Sequence, residues 1–193
     1  LALRDAEGVS VGELVAARRA AGFPDQPAPV PDLLGYLEIH IEQGPVLEAA
    51  GLPLAVVPGI AGQTRILAGF TGKAGHAGTT PMALRHDALT AAARVVLEAE
   101  RLAMEQPPLL ATVGKLEVQP GAGNVIPGQV TFTLDVRHPD DDARESAIAA
   151  LQAFCRELAL ERGLGWHWKI KQSHPAVACD PGLTSLLSAA VAP

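Results

Sequence analysis

A histidine flanked by carboxylates is the first feature of this sequence that could do chemistry. In segment 36–45, His40 lies two positions from both Glu38 and Glu42, and Gln43 follows before a Gly-Pro pair. Apolar residues fill the alternate positions, so the pattern predicts a strand with one ionisable face. An imidazole oriented by carboxylates is typical of divalent metal sites, but a lone histidine on a strand is also compatible with a structural role.

A second histidine lies in a glycine-rich segment, residues 72–81. Gly75 and Gly78 lie on either side of His76. Glycine leaves the backbone free to bring the imidazole close to another group. The Thr80-Pro81 pair predicts the cap of the following helix. The alternative for His76 is an ordinary exposed loop histidine.

Two further polar residues lie near predicted strand ends. Asn124 belongs to the glycine-rich turn 121–128, where asparagine is also common simply because it tolerates turn conformations. Arg137 follows Asp135 on the strand face that points away from the predicted helices. Its guanidinium could stay solvated, pair with Asp135, or bind a substrate carboxylate through its planar fork.

The elements that must position these side chains follow a regular order. Hydrophobic periodicity predicts strands at 64–71, 110–119, 129–137 and 166–170, and helices at 87–104 and about 142–162. This βαββαβ order is the split ferredoxin-like arrangement, a four-stranded antiparallel sheet with two helices on one side. We therefore assign the chain to the α/β class, with an α+β domain at 61–173 inserted between two pieces of a separate α/β domain, 1–60 and 174–193.

Local signals predict two more helices. Ser10 followed by Glu13 is a capping-box pattern for a helix that runs to about residue 21, where Gly22 supplies a left-handed stop. The proline-rich segment 23–31 is expected to be a linker. Asp180 and Pro181 have the residue types of an N-cap and first helical residue.

Composition excludes several classes of protein. The 193 residues are 48% hydrophobic and 19% charged, which is typical of a folded globular chain. The net charge is -6 and the 15 basic residues are scattered, so we expect neither nucleic acid nor an anionic membrane surface as a partner. No apolar run reaches the roughly 18 residues of a membrane span. The two cysteines predict reduced thiols in a cytoplasmic protein.

The ends of the sequence suggest a piece of a longer protein. The chain begins at Leu1 without an initiator methionine, and it stops within the apolar stretch 186–192. We therefore interpret it as a fragment.

Several motifs together resemble one known family. They are YLEIHIEQGP at 36–45, GIAGQTR at 59–65, the segment 72–81 with Arg85 and Asp87 after it, NVIPG at 124–128, and the segment 134–138. This ordered set resembles the metal-dependent amidohydrolases of the N-carbamoyl-L-amino-acid hydrolase, allantoate amidohydrolase and β-ureidopropionase group, relatives of the M20 aminoacylase-like peptidases. The resemblance covers nearly the whole chain.

The resemblance implies a role for each candidate residue. His40 would be a ligand of a binuclear centre of zinc or manganese, and Gln43 would contact the substrate. His76 would be catalytic and would reach from a lid domain into the active site of a second subunit in a homodimer. Asn124 and Arg137 would bind the carboxylate side of a carbamoyl or ureido acid.

The same resemblance indicates what this sequence does not contain. Family members place their other metal ligands and a general-base glutamate before or after the region that resembles this chain. We therefore expect the full-length protein to be a hydrolase of non-peptide C–N bonds and the fragment alone to be inactive. The alternatives are a non-catalytic dimerisation module and an M20 aminoacylase or exopeptidase.

Overall fold

The computed structural model describes residue 4, residues 8–22, residue 33 and residues 35–191. The chain divides into two compact units, Leu1–Gly51 and Leu52–Pro193. The predicted linker at 23–31 lies outside the described residues.

The first unit contains helix α1, Val11–Ala20, and the short helix α2, Val46–Ala50. Helix α1 begins with the predicted capping box. The Ser10 hydroxyl accepts from the Glu13 N–H at 3.2 Å, and the Glu13 carboxylate accepts from the Ser10 N–H at 2.6 Å. Gly22 follows the helix with a φ of 81°. The local prediction of this helix is confirmed.

The strand predicted at residues 36–43 is wrong. These residues form no strand, and their side chains are exposed. Alternating hydrophobicity is not sufficient for a strand, because an extended segment needs a hydrogen-bonded neighbour to be stable. Within the described part of the first unit, no strand pairs with this segment.

The second unit contains eight strands, three α-helices and a 3-10 turn in its described residues. In chain order they are β1 Gly59–Ile60, β2 Gly62–Thr71, β3 Gly75–His76, the 3-10 turn Met82–Leu84, α3 Ala88–Glu105, β4 Leu110–Gln119, β5 Val125–Ile126, β6 Gln129–His138, α4 Asp141–Arg162, β7 Gly165–His174, β8 Val177–Ala178 and α5 Pro181–Val191.

The main sheet has four antiparallel strands in the order β4-β6-β2-β7. The long elements therefore follow the predicted βαββαβ order, and this part of the fold prediction is confirmed. Strand β6 lies between β4 and β2, so Arg137 pairs with Gln63 on one side and with Leu110 on the other.

The core lies between this sheet and helices α3 and α4. Alternate residues of β6, predicted to face the helices, are at most 1% exposed: Val130, Phe132, Leu134 and Val136. Phe132 also contacts Phe70 of β2, with ring centroids 6.1 Å apart. The other side chains of β6 line the face of the sheet that no helix covers in the described structure.

Helix α3 begins where it was predicted, within one residue, but its cap is not the Thr80-Pro81 pair. Thr80 and Pro81 precede only the 3-10 turn, and no side chain caps that turn. The cap of α3 is Asp87, whose carboxylate accepts from the N–H groups of Leu89 at 2.9 Å and Thr90 at 3.2 Å. The proline signal was wrong because an extended connection separates the turn from the long helix.

Strands β1 and β8 form a separate two-stranded ribbon where the chain enters and leaves the main sheet. Helix α5 follows, and the Asp180 carboxylate accepts from the Leu183 N–H at 2.8 Å, as the predicted N-cap requires. Among the described residues, no helix is both long enough and apolar enough to cross a membrane.

Candidate functional site

The loops that hold His76 and Asn124 form one antiparallel ribbon. Strand β3 pairs with β5, so that His76 is opposite Val125. The Ala77 N–H then donates to the carbonyl oxygen of Asn124 at 2.9 Å. Both His76 and Asn124 are exposed. The structure therefore brings together two candidates that lie far apart in the sequence.

The imidazole of His76 has a defined hydrogen-bond polarity. Its Nδ1 accepts from the backbone N–H of Gly78 at 3.1 Å. A backbone N–H can only donate, so Nδ1 is the unprotonated nitrogen and the neutral ring holds its proton on Nε2. His76 can thus present an Nε2–H donor to a ligand.

Arg85 supports the loop that contains His76. The guanidinium of Arg85 donates to the Ala77 carbonyl at 2.6 Å and to the Thr80 carbonyl at 3.0 Å. Arg85 is partly buried. These bonds hold the two ends of the turn that follows His76. The sequence placed Arg85 in a family motif but gave no reason for its presence.

Arg137 forms an ion pair with its neighbour Asp135. Nε of Arg137 donates to Oδ1 at 2.8 Å, and Nη2 donates to Oδ2 at 3.2 Å. Arg65 Nε donates to Oδ2 at 3.2 Å, and Gln63 Nε2 donates to the same oxygen at 2.8 Å. The pairing alternative considered for Arg137 is therefore what the structure shows, and three side chains share one carboxylate.

These contacts change the pKa values of Asp135 and Arg137. Partial burial raises the pKa of the Asp135 carboxyl, but the hydrogen bonds and charges of Arg137 and Arg65 outweigh it, and the pKa lies below its usual value. The bond to Asp135 also raises the pKa of the Arg137 guanidinium. Asp135 therefore remains a carboxylate at neutral pH.

The cluster borders a cavity of about 680 Å³ on the open face of the sheet. Three cations and one carboxylate line it: Arg65, Arg137, Lys171 and Asp135. Sequence reasoning assigned no role to Arg65 or Lys171. Arg65 lies directly opposite Asp135 in the β2–β6 register, and this relation depends on strand pairing that the separate motifs do not reveal.

The two groups of candidates in the second unit lie at opposite ends of the sheet. The His76–Asn124 ribbon leaves the sheet where Thr71 pairs with Gln129. Arg137 is eight residues further along β6, which at the usual rise per residue is about 26 Å. One copy of the chain therefore does not bring Asn124 and Arg137 to the same small ligand.

His40 and Gln43 belong to the first unit, and both are exposed. Nδ1 of His40 contacts the Ile41 carbonyl, which can only accept, so Nδ1 is protonated and, in the neutral ring, the lone pair is on Nε2. Histidine ligands of metals commonly make such a bond. Gln43 has a φ of 57°, a left-handed conformation that is uncommon for a residue other than glycine.

The surroundings of His40 fit a single metal ligand but not a complete site. The Glu42 carboxylate accepts from the N–H groups of Val46 at 2.8 Å and Leu47 at 3.0 Å, at the start of α2. Glu38 accepts from the Tyr36 hydroxyl at 3.1 Å. In the described part of the chain, no group of three His, Cys, Asp or Glu residues could hold a metal ion. Further ligands would have to come from outside this described part.

Comparison with known proteins assigns this arrangement to a family. The family described as "Peptidase dimerisation domain", of the M20 group, matches residues 59–163. The chain belongs to the M20 peptidase dimerisation domain family. The matched residues include the ribbon of His76 and Asn124 and the side chains that bond to Asp135. They also include strands β2, β4 and β6 and helices α3 and α4.

Relatives of this M20 chain extend beyond the matched domain. Allantoate deiminase 1 of Glycine max is 41% identical in an alignment 175 residues long, which covers 81% of this chain and 36% of that protein. The N-carbamoyl-L-amino acid amidohydrolase of Geobacillus stearothermophilus is 40% identical in an alignment 184 residues long, which covers 93% of this chain and 44% of that protein.

A solved structure shows the same fold. The hydantoinase/carbamoylase family amidase of Burkholderia multivorans has a TM-score of 0.86 and 37% identity, covering 98% of this chain and 46% of that one. The M20 chain thus spans less than half the length of these relatives.

Proposed function

We propose that this chain is the lid and dimerisation part, with adjoining segments, of a metal-dependent amidohydrolase. The substrate would be an N-carbamoyl-L-amino acid or a related ureido acid such as allantoate, and the bond cleaved would be a non-peptide C–N bond. The observation that carries the proposal is the ribbon that joins the His76 and Asn124 loops. It presents an exposed imidazole donor in a chain about 40% identical to enzymes named for these substrates.

Each candidate residue has a role in this proposal. The Nε2–H of His76 would donate to the oxygen on which charge develops when water attacks the carbamoyl carbon. Arg137 and Asn124 would bind the substrate carboxylate, which orients the scissile bond. Gln43 would also contact the substrate.

A divalent metal would be held by His40 together with ligands outside the described chain, and we propose zinc or manganese. Such a metal supplies Lewis-acid activation of water and of the scissile carbonyl when it is bound. His40 contributes the Nε2 lone pair, and its Nδ1–H bond to Ile41 fixes the ring orientation that this requires.

The separation of Asn124 from Arg137 supports a homodimer. If two copies pair edge to edge about a twofold axis, their strands run antiparallel, and the Asn124 end of one sheet lies beside the Arg137 end of the other. Helix α3, which packs beside β4, offers exposed apolar side chains for this contact: Leu97 at 63% and Met104 at 78% exposure. One complete substrate site would then use residues of both subunits.

The cysteines bear on the compartment. Both Cys155 and Cys179 are free thiols in the structure. Free thiols persist in reducing compartments, and this supports our proposal of a cytoplasmic location.

Assays of the full-length protein test the proposed function. Purified enzyme supplied with zinc or manganese is expected to hydrolyse at least one of allantoate, an N-carbamoyl-L-amino acid and 3-ureidopropionate. A matched His76→Ala variant is expected to be much less active with the same substrate. Hydrolysis of N-acyl amino acids or dipeptides with none of the ureido acids would favour the aminoacylase or exopeptidase alternative. Absence of any hydrolysis would favour the dimerisation module.

A further inference from the structure

We propose that Asp135 is a positioning residue that holds Arg65 and Arg137 together as a binding site for the substrate carboxylate. We call these two residues the arginine pair. The inference rests on the proposed role of Arg137 in substrate binding. It adds Arg65 as a second carboxylate-binding group and Asp135 as the group that orients both.

The register of the sheet places the arginine pair around one carboxylate. Asp135 and Arg137 are on the same face of β6, and Arg65 lies directly opposite Asp135 on β2. Arg137 donates through Nε and Nη2, whereas Arg65 donates through Nε alone. Each guanidinium group therefore bonds to Asp135 through Nε, its nitrogen nearest the backbone.

This mode of attachment leaves donors available for a ligand. Among the described residues, Nη1 of Arg137 and both Nη atoms of Arg65 have no hydrogen-bond partner. The side chains of Arg65 and Arg137 are 54% and 47% exposed, whereas Asp135 is 28% exposed. The anchoring carboxylate lies deeper than the donors that it orients.

The surroundings favour a small anionic ligand. The cavity of about 680 Å³ beside the arginine pair is of a size that accepts a small acid. Lys171 adds a third positive charge to its wall, and Leu67 and Leu110 add apolar surface. A cavity wall with net positive charge attracts anions and raises their local concentration, and apolar surface beside the charges strengthens this effect.

Stability alone is a weak reason for this cluster. Exposed ion pairs contribute about 0–1 kcal/mol, because solvent screens them and ordering the side chains costs entropy. Free arginine side chains are flexible, however, and fixing two of them before a ligand arrives lowers the entropic cost of binding. The expected benefit of Asp135 is therefore in affinity for the ligand.

The test is a comparison of two substrates in the full-length enzyme. One is the best N-carbamoyl amino acid or other ureido acid, and the second is its amide, which lacks the carboxylate. For Asp135→Asn and Arg65→Ala, we expect KM for the acid to rise about tenfold or more with kcat changed less than about twofold. Kinetic constants for the amide should not change. Glu117→Gln removes another carboxylate, paired with Lys115 at 2.8 Å on β4, and should leave both substrates unaffected.

A double-mutant cycle separates positioning from a general structural effect. If Asp135 acts through the arginine pair, Asp135→Asn should change KM by less than about twofold in a background where Arg65 is already alanine and Arg137 is already lysine. Fully additive effects, or equal losses with the acid and the amide, would overturn the inference.

Equilibrium binding keeps the inference testable if the proposed function fails. NMR titration of the full-length protein with 3-ureidopropionate, followed through the arginine Nε–H signals, needs no turnover. Binding that weakens about tenfold in Asp135→Asn but not in Glu117→Gln would support the arginine pair even in an enzyme that hydrolyses another compound. Binding of equal strength in both variants would refute it.

Discussion

The backbone N–H of Gly78 donates to Nδ1 of His76 at 3.1 Å, within the turn that follows strand β3. This bond selects one tautomer of the neutral imidazole, with the proton on Nε2. It also limits rotation of the ring, because Nδ1 is attached to a backbone group of the same turn. A donor that is oriented before the reaction does not have to be reorganised during it.

The position of the donor predicts how His76 can be replaced. In the full-length enzyme, His76→Ala should lower kcat by about 100-fold to 1000-fold, the usual effect of removing one oxyanion donor. The side-chain amide of glutamine lies at about the reach of Nε2, whereas that of asparagine lies at about the reach of Nδ1. We expect His76→Gln to retain more activity than His76→Asn, as measured by kcat.

The tautomer itself can be observed without turnover. Long-range ¹H–¹⁵N correlation spectra of the protein above the titration range of histidine should show His76 protonated on Nε2. A spectrum with the proton on Nδ1 would contradict the assignment, and equal activities of the glutamine and asparagine variants would contradict its proposed use.

Arg85 should control the order of the turn that holds His76. Its guanidinium bonds to both the Ala77 and the Thr80 carbonyls, so its removal breaks both contacts at once. Arg85→Ala should destabilise the domain by about 1–3 kcal/mol, as expected for losing charged hydrogen bonds. It should also lower kcat. Amide hydrogen exchange should increase first in residues 73–80.

A matched control comes from helix α3. Among the described residues, Arg101 bonds to Glu98 and Glu105 of its own helix and to no other side chain, so Arg101→Ala should leave exchange in residues 73–80 unchanged. If Arg85→Ala and Arg101→Ala have the same effects, Arg85 has no particular role in the turn.

Local signals in the sequence predicted local structure well. The Ser10–Glu13 capping box and the Asp180 cap involve residues three positions apart, and both are present as expected. The order of the long strands and helices also followed from periodicity. Each of those elements packs one face fully or partly against the core, and the hydrophobic pattern follows that face.

Relations between distant segments could not be predicted in the same way. Residues 36–43 have a strand pattern but no strand neighbour in the described first unit. The pairing of Arg65 with Asp135 depends on the register of two strands 70 positions apart. The sequence identified Asn124 and Arg137 separately, but their positions at opposite ends of the sheet appear only once the direction of β6 is known.

Asp135 should make stability depend on acidity. Its pKa in the folded protein is lowered from 3.8 by the hydrogen bonds and charges of Arg137 and Arg65. A carboxyl with a lowered folded-state pKa stabilises the protein above its unfolded pKa, and this contribution is lost as the pH falls through the folded value. The difference in unfolding free energy between wild type and Asp135→Asn should therefore be largest near neutral pH and should shrink below about pH 4. Urea titrations across this range measure it, and a difference that grows on acidification would contradict the sign.

The core of the second unit gives a prediction that is independent of catalysis. Leu151 on helix α4 is 1% exposed, whereas Leu160 on the same helix is 77% exposed. Leu151→Ala should cost about 2–5 kcal/mol of unfolding free energy, because it removes buried surface and leaves a cavity. Leu160→Ala should change it by less than about 0.5 kcal/mol. Similar losses for the two variants in chemical denaturation would mean that this face of α4 is covered in solution.

Mixed dimers test whether His76 acts in the active site of the second subunit. A His76→Ala subunit and a His40→Ala subunit should each be inactive alone. In their heterodimer, one site would combine an intact His40 with the partner's intact His76, and the other site would have neither.

Counting sites gives the expected activities. Random mixing of equal amounts makes about half of the dimers mixed, so about one quarter of all sites should be active. If His76 works within its own chain, the mixture stays inactive.

A second mixture, of wild type with the double variant His40→Ala, His76→Ala, tests the same question in the opposite direction. If His76 acts in the partner's site, only wild-type dimers are active, which is about one quarter of all sites. If His76 acts within its own chain, about one half of all sites are active. The two mixtures therefore oppose each other: the mechanism that predicts recovery in the first predicts the greater loss in the second. A general effect of mixing on folding or dimer stability would not reproduce this pair of results.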